Sequence, residues 1–201
     1  MLVDARAAAL FSVYDRTGVV ELARACAARC MPIYATGGTR KHLIEHGIDA
    51  LDVGELTGFP ALFDGRVKTL HPRVFGGILA DRKNEAHVNE AREHGVPTIS
   101  VVVVNLYPFE STVARNSATL EEAIEQIDIG GVALIRAAAK NFDNVTVLVD
   151  PDQYEFVAKH LDGELDHATR RRLATRAFER TAEYDSSIAR YLEAAGFSCD
   201  V

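Results

Sequence analysis

A chain of 201 residues suits roughly one large domain, and a hydrophobic content of 48% supplies a sizeable core, which excludes a disordered segment. A net charge of −7 and a pI near 5.5 argue against non-specific binding to nucleic acid or an anionic membrane, so any anion site must be a local basic pocket. No apolar run approaches the roughly 18 residues of a membrane span, and the opening Met-Leu-Val-Asp-Ala-Arg lacks a signal pattern, so a cytoplasmic setting is expected.

Ala8–Tyr14 reads as a buried strand, broken by Asp15-Arg-Thr-Gly18. Thr17 is the expected N-cap of a helix over about 18–30, where Val19, Leu22, Ala23, Cys26 and Cys30 recur at helical spacing. Met31–Ala35 reads as a second strand. After Thr36-Gly-Gly-Thr39 comes a helix to about His46, closed by Gly47. Ile48–Val53 reads as a third strand. This alternation implies a parallel sheet covered by helices.

Gly54 to Pro72 is irregular, punctuated by Gly54, Gly58, Pro60, Gly65 and Pro72, and long irregular segments in compact domains usually carry function. Short helices follow over about 73–80 and 84–94. Ile99–Val104 is the strongest strand and is expected to be central. Thr119 with Glu122 forms a capping box for a helix interrupted at Ile127-Asp-Ile-Gly-Gly131. A helix over about 131–140 and a strand at Val145–Val149 come next. Asp150-Pro151 then opens another helix. From Asp166 to about Ala194 one long helix or two carry an apolar stripe of Leu173, Ala177, Phe178, Ala182, Ile188 and Leu192. Arg170, Arg171 and Arg172 near its start face solvent or a partner. One domain is expected, with no linker or repeat.

Three cysteines, Cys26, Cys30 and Cys199, cannot all pair within one chain. Cys26, Cys30, His42 and His46 are spaced much like a zinc finger, but both cysteines fall on a helix and a strand separates them from the histidines. Buried, reduced thiols and no metal are the expectation. His71 reads as a structural hydrogen-bonder.

The chemistry-bearing residues collect after strands. Asp64-Gly-Arg-Val-Lys-Thr-Leu-His-Pro72 sets Arg66 and Lys68 two residues apart, on one side if the segment is extended, which suits an oxyanionic ligand. Thr36–Thr39 presents backbone N–H groups and hydroxyls at a helix N-terminus, a phosphate cradle in physical terms, with Arg16 nearby for countercharge. Taken alone, the motif reads better as a plain strand-to-helix turn; Arg16 beside it is what makes a phosphate site plausible. Tyr107 follows a buried strand. Asp128, between Ile127 and Ile129, is either a helix cap or a base. Lys140 ends a helix where the dipole favours a cation. No nucleophile with an activating base stands out. The set points to acid–base and oxyanion chemistry on a phosphorylated small molecule.

Several long stretches, among them Ser12-Val-Tyr-Asp-Arg-Thr-Gly18, Ala35–Thr39, Thr57–Pro60, Asp64–Pro72, Asn105–Phe109, Ile127–Gly131, Arg136–Asn141 and Thr181-Ala-Glu-Tyr-Asp185, resemble the inosine monophosphate cyclohydrolase domain. That domain is usually the N-terminal half of a bifunctional AICAR transformylase/IMP cyclohydrolase. The resemblance runs from about Ala9 to Leu192. It implies an α/β, parallel-sheet, three-layer domain of the methylglyoxal-synthase-like type. The implied reaction is dehydrative closure of 5-formamidoimidazole-4-carboxamide ribonucleotide (FAICAR) to inosine monophosphate, without metal or cofactor.

By motif, the resemblance implies Lys68, Tyr107, Asp128 and Lys140 as catalytic residues. Lys68 and Tyr107 would stabilise the oxyanion, and Asp128 with Lys140 would move protons. Ser12, Tyr14, Asp15, Arg16, Thr36, Gly37, Gly38 and Thr39 would bind substrate, with the phosphate on Arg16 and the Thr36–Thr39 loop. Arg66 would contact the purine beside Val67, while Thr69, Asn105, Ile129 and Gly130 would line base and ribose. The usual first loop reads Ser-Val-Ser-Asp-Lys-Thr-Gly, so Tyr14 and Arg16 are departures; arginine keeps the charge, and the larger tyrosine reshapes that wall. No formyltransferase half follows Val201, so either the last two steps are split, with a separate formyltransferase upstream, or the chain is one isolated domain; the apolar C-terminal helix suggests a homodimer. A methylglyoxal-synthase-like lyase and a nucleotide-sensing regulatory domain stay open as alternatives.

Overall fold

The computed structural model describes residues 7–107, 109, 119–161 and 165–196; Pro108 of the expected Asn105–Phe109 motif and Cys199 lie outside them. Five strands build the sheet: β1 (Ala8–Val13), β2 (Ile33–Ala35), β3 (Leu51–Asp52), β4 (Ile99–Asn105) and β5 (Thr146–Leu148). All four pairings are parallel, in the order β3-β2-β1-β4-β5. The apolar runs of β1 and β4 are almost wholly buried, as expected for interior parallel strands covered on both faces. β4 is interior as read from its sequence, but β1 takes the middle place.

The described helices are α1 (Val19–Ala28), α2 (Gly37–Glu45), α3 (Val53–Thr57), α4 (Pro72–Leu79), α5 (Glu85–Glu93), α6 (Leu120–Glu125), α7 (Gly130–Lys140), α8 (Tyr154–His160) and α9 (His167–Gly196). α1 packs on α8, while α7 packs between α4 and α9. The Thr119–Glu122 capping box forms as expected. Thr17 does not cap α1: Gly18 takes the N-cap position in a left-handed conformation, φ 70°, that favours glycine. The third strand shrinks to two residues because Asp52 instead caps α3, with Glu55 closing a reciprocal box. That short helix occupies the start of the supposedly irregular segment.

The tail is one helix of 30 residues. Its buried face is Leu173, Ala174, Ala177, Thr181, Tyr184 and Ser187; Phe178 and Leu192 are turned out. The stripe is therefore part hydroxyl, and those hydroxyls are bonded locally: Thr181 to the Phe178 carbonyl, Ser187 to that of Tyr184. Arg170 faces neither solvent nor partner alone, for its guanidinium reaches the Phe142 and Leu165 carbonyls. Arg176 pairs with Asp150 at 2.7 Å, tying α9 to the turn before α8. Cys26 is in the core, where burial pushes its thiol up to about 12, but Cys30 is exposed. The expectation of buried thiols fails at Cys30 because α1 has ended by Ala28 and the chain turns through positive φ there.

α4 approaches the chain before β4 so closely that a Cβ on Gly77 would lie 2.4 Å from the Pro97 carbonyl oxygen and 3.1 Å from the Ile99 side chain. Backbone cannot yield to such overlap cheaply. Gly77→Ala is expected to lower unfolding stability by about 1–3 kcal/mol in urea titration; an unchanged midpoint would mean that this contact is looser than described.

Candidate active site

In the order β3-β2-β1-β4-β5 the chain winds outward from β1 to β3, then returns to place β4 on the other side of β1. The winding direction reverses between β1 and β4. Open parallel sheets leave a crevice at the carboxyl ends of such a strand pair. Here those ends are Val13 and Asn105, which are register partners.

Asn105 locks the loop above that crevice. Its Oδ1 accepts from the backbone N–H groups of Tyr14 (2.7 Å) and Asp15 (2.9 Å). Its Nδ2 donates to the Asp15 carbonyl at 2.7 Å and to the Tyr154 hydroxyl at 3.1 Å. Burial pushes the Tyr154 phenol well above the ordinary range, which keeps it protonated. Thr39 does the same for the neighbouring loop: its hydroxyl accepts from the Val13 N–H at 3.0 Å and donates to the Val13 carbonyl at 3.1 Å. Both side chains are thus committed to the protein. The Thr36 hydroxyl donates to Ser12 Oγ at 3.0 Å.

The basic segment is not extended. A 3-10 turn at Phe63–Gly65 is closed by an antiparallel bridge between Leu62 and Val67, and Arg66 is helical in backbone. Phe63 and Asp64 both sit at φ 54°, a costly conformation for residues with a Cβ. Arg66 and Lys68 nevertheless line one cavity of about 490 Å³. Ser12, Thr69, Tyr107 and Asp128 line it too. At its mouth Arg66 pairs with Glu125; that hydrogen bond raises the arginine and holds the Glu125 carboxyl below its usual range, both groups being exposed.

Asp128 bonds the first turn of α7 and also borders the cavity. Its Oδ1 accepts from the Gly131 N–H at 2.7 Å at the start of α7, and the half-buried carboxylate also faces the cavity. Gly130 and Gly131 make this geometry possible: a Cβ on Gly130 would lie 2.7 Å from the Thr69 hydroxyl, and one on Gly131 would lie 2.3 Å from Asp128 Oδ2. Ile129 is exposed at the cavity rim.

Two further hollows adjoin this one. Lys68 and Gly65 are shared with a recess of about 250 Å³ bounded by Thr36, Gly37 and Asp52, so Lys68 stands between the cavity and the N-terminus of α2. A second cavity of about 780 Å³ holds Tyr14, Asp15, Arg16, Asp150 and Arg180. The Tyr14 and Tyr107 rings, 4.1 Å apart, stand between the two larger cavities. Arg16 crosses toward α2, its Nη2 lying 2.9 Å from where a Cβ of Gly38 would be. The Asp15 carboxyl is held below its usual range by the Thr17 N–H at 2.9 Å.

Lys140 is not brought to this place. Asp128 precedes α7 and Lys140 ends it, and the helix's 11 residues span about 15 Å. Lys140 instead lines a separate recess with Asp81, Lys83 and Asp143. The expected Asp128–Lys140 proton pair therefore does not form within this chain. Among the described residues no three His, Cys, Asp or Glu side chains gather as for a metal ion. The sequence reading missed Tyr154 and Arg180, which look like ordinary helix residues, and Tyr184, which sits in a quoted motif but was given no role. The Tyr184 hydroxyl donates to the Gln126 carbonyl at 3.2 Å and accepts from the Asp128 N–H at 2.8 Å.

Residues 18–133 match the MGS-like domain family, and residues 138–199 match the AICARFT/IMPCHase bienzyme family. Among curated relatives, the bifunctional purine biosynthesis protein PurH of Chloroflexus aurantiacus is 55% identical over 185 residues, covering 92% of this chain and 36% of that protein. PurH of Acidithiobacillus ferrooxidans is 50% identical over 191 residues, covering 94% and 37%. The chain thus spans somewhat over a third of the length of the curated relatives it matches. The crystal structure of ForH superposes with a TM-score of 0.79 at 34% identity, covering 92% of this chain and 97% of that one.

The Asn105 clamp is testable without any ligand. Asn105→Leu removes four hydrogen bonds at near-constant volume and should cost about 2–6 kcal/mol of unfolding free energy, at roughly 0.5–1.5 kcal/mol for each bond. A loss below about 0.5 kcal/mol in urea titration would show that the loop is held by other means.

Proposed function

The chain belongs to the MGS-like domain family, and from that premise we propose that it is an inosine monophosphate cyclohydrolase of purine biosynthesis, closing FAICAR to inosine monophosphate and water. The observation that carries the reading is the convergence of Lys68, Tyr107 and Asp128 on one cavity at the sheet's switch point, joined through Lys68 to a helix N-terminus. The bienzyme match over residues 138–199 supports it.

The reaction joins two unreactive groups. The carboxamide nitrogen attacks the formyl carbon, a C–N bond forms, and the formyl oxygen becomes an alkoxide; each of the two nitrogens loses one proton, the C–O bond breaks, and the oxygen departs with both protons as water. In the proposed roles Asp128, its carboxylate held by the Gly131 N–H, accepts the proton from the amide. The Lys68 ammonium and the Tyr107 hydroxyl stabilise the alkoxide; Lys68 supplies one proton and Asp128 returns the other as the oxygen leaves as water, and the formamido nitrogen's proton restores Lys68. The ribose phosphate sits at the N-terminus of α2, on the Thr36, Gly37 and Gly38 backbone with Arg16 as countercharge. Arg66 leaves Glu125 to hold the purine. Ser12, Thr69, Ile129 and Gly130 shape the base and ribose walls. Lys140, at the far end of α7, takes part in none of these steps. A formylated substrate requires a formyltransferase step upstream, and the proposed setting is cytoplasmic.

Ring closure changes ultraviolet absorption, so adding FAICAR to the protein tests the reading at once. Turnover is expected, with kcat falling at least about 100-fold in Lys68→Ala and in Asp128→Asn. Tight inosine monophosphate binding without turnover would make the protein a nucleotide sensor. Methylglyoxal formed from dihydroxyacetone phosphate would make it a lyase.

A further inference from the structure

Asp128 is useful to the proposed chemistry only if its carboxylate is aimed into the cavity. On its C-terminal side that aim is set by the Gly131 N–H at 2.7 Å. On its N-terminal side the backbone is held from a distance. The Tyr184 hydroxyl bridges the carbonyl of Gln126 and the N–H of Asp128, spanning the turn that delivers the carboxylate. The tyrosine is 4% exposed, and its ring stands edge-on to Phe109, with centroids 6.3 Å apart. The ring therefore cannot swing away without leaving the core. Burial raises the phenol above its ordinary range, so the hydroxyl keeps its proton and can donate and accept together.

The two partners of this bridge come from different parts of the chain. Asp128 lies in the stretch that matches the MGS-like domain, residues 18–133, whereas Tyr184 lies on α9 in the stretch that matches the bienzyme, residues 138–199. We propose that Tyr184 is a positioning residue for ring closure, its hydroxyl fixing the Gln126–Asp128 backbone so that the Asp128 carboxylate meets the substrate amide. This inference rests on the proposed cyclohydrolase reading and assigns the C-terminal helix a part in it. Tyr184 does not touch substrate. Its contribution is to the precision of a proton acceptor, and small misplacements of a reacting group are costly in rate.

The test is Tyr184→Phe, which keeps the ring and removes only the hydroxyl, set beside Leu173→Ala, which weakens packing of the same helix far from the turn. Two measurements are made on each variant of the 201-residue chain: FAICAR kinetics, and hydrogen exchange of the amides in residues 126–131. Tyr184→Phe should lower kcat about tenfold or more, leave KM within about threefold, and speed exchange in that turn. Leu173→Ala should lower thermal stability while kcat and the turn's exchange stay near wild type. The inference is overturned if Tyr184→Phe leaves kcat and exchange unchanged, or if Leu173→Ala matches its effects. A wild-type protein that fails to close the ring would instead refute the proposed reaction, and the exchange result would still decide whether the hydroxyl holds the turn.

Discussion

Everything at this site hangs on one buried amide. Asn105 ends β4 and satisfies the backbone at the end of β1, so two strands that meet at the sheet's switch point are knitted at the level where a ligand would sit. A side chain with two donors and two acceptor positions, all engaged in a nearly dry setting, tolerates little movement. The loop over β1 is therefore rigid relative to β4, and Tyr107, two residues past the clamp, inherits that rigidity. Thr39 repeats the device between β1 and α2. The cavity walls are built on hydrogen-bonded frames rather than on the loops' own preferences.

The basic segment is made differently. Its charged residues Asp64, Arg66 and Lys68 are exposed, its turn carries two consecutive non-glycine residues at positive φ, and its arginine is paired across the mouth with Glu125. An exposed ion pair contributes little stability, so exchanging Glu125 for a ligand costs the fold little. Strain and exposure here, beside rigid clamps opposite, divide the site into a fixed floor and a wall able to adjust.

Much of the fold was legible in the sequence, because strands such as Ile99–Asn105 are buried on both faces and read as unbroken apolar runs. Strand order was not: β1 and β4 are equally apolar, and nothing local says which is in the middle. α3 escaped because five residues with a capping box are too short to show periodicity. The motifs that carry Ser12, at the end of β1, and Lys68, Tyr107 and Asp128, in loops, were legible. Their meeting was not, nor was the reach of Lys140, which depends on α7 running straight from Gly130. Tyr184 shows the limit most clearly. Its bridge joins residues 56 apart, and a tyrosine on a helical stripe carries no local sign of a carbonyl and an N–H waiting elsewhere.

The central claim is that a nucleotide lies across the β1–β4 crevice, with its phosphate at the N-terminus of α2 and its base between Lys68 and Asp128. A crystal structure of the protein with inosine monophosphate tests this most directly. The account predicts phosphate oxygens on the Gly37 and Gly38 amides with Arg16 beside them, Arg66 released from Glu125, and the base within reach of Lys68 and Asp128. A nucleotide seated instead in the cavity of Asp150 and Arg180, with Lys68 and Asp128 untouched, would contradict it.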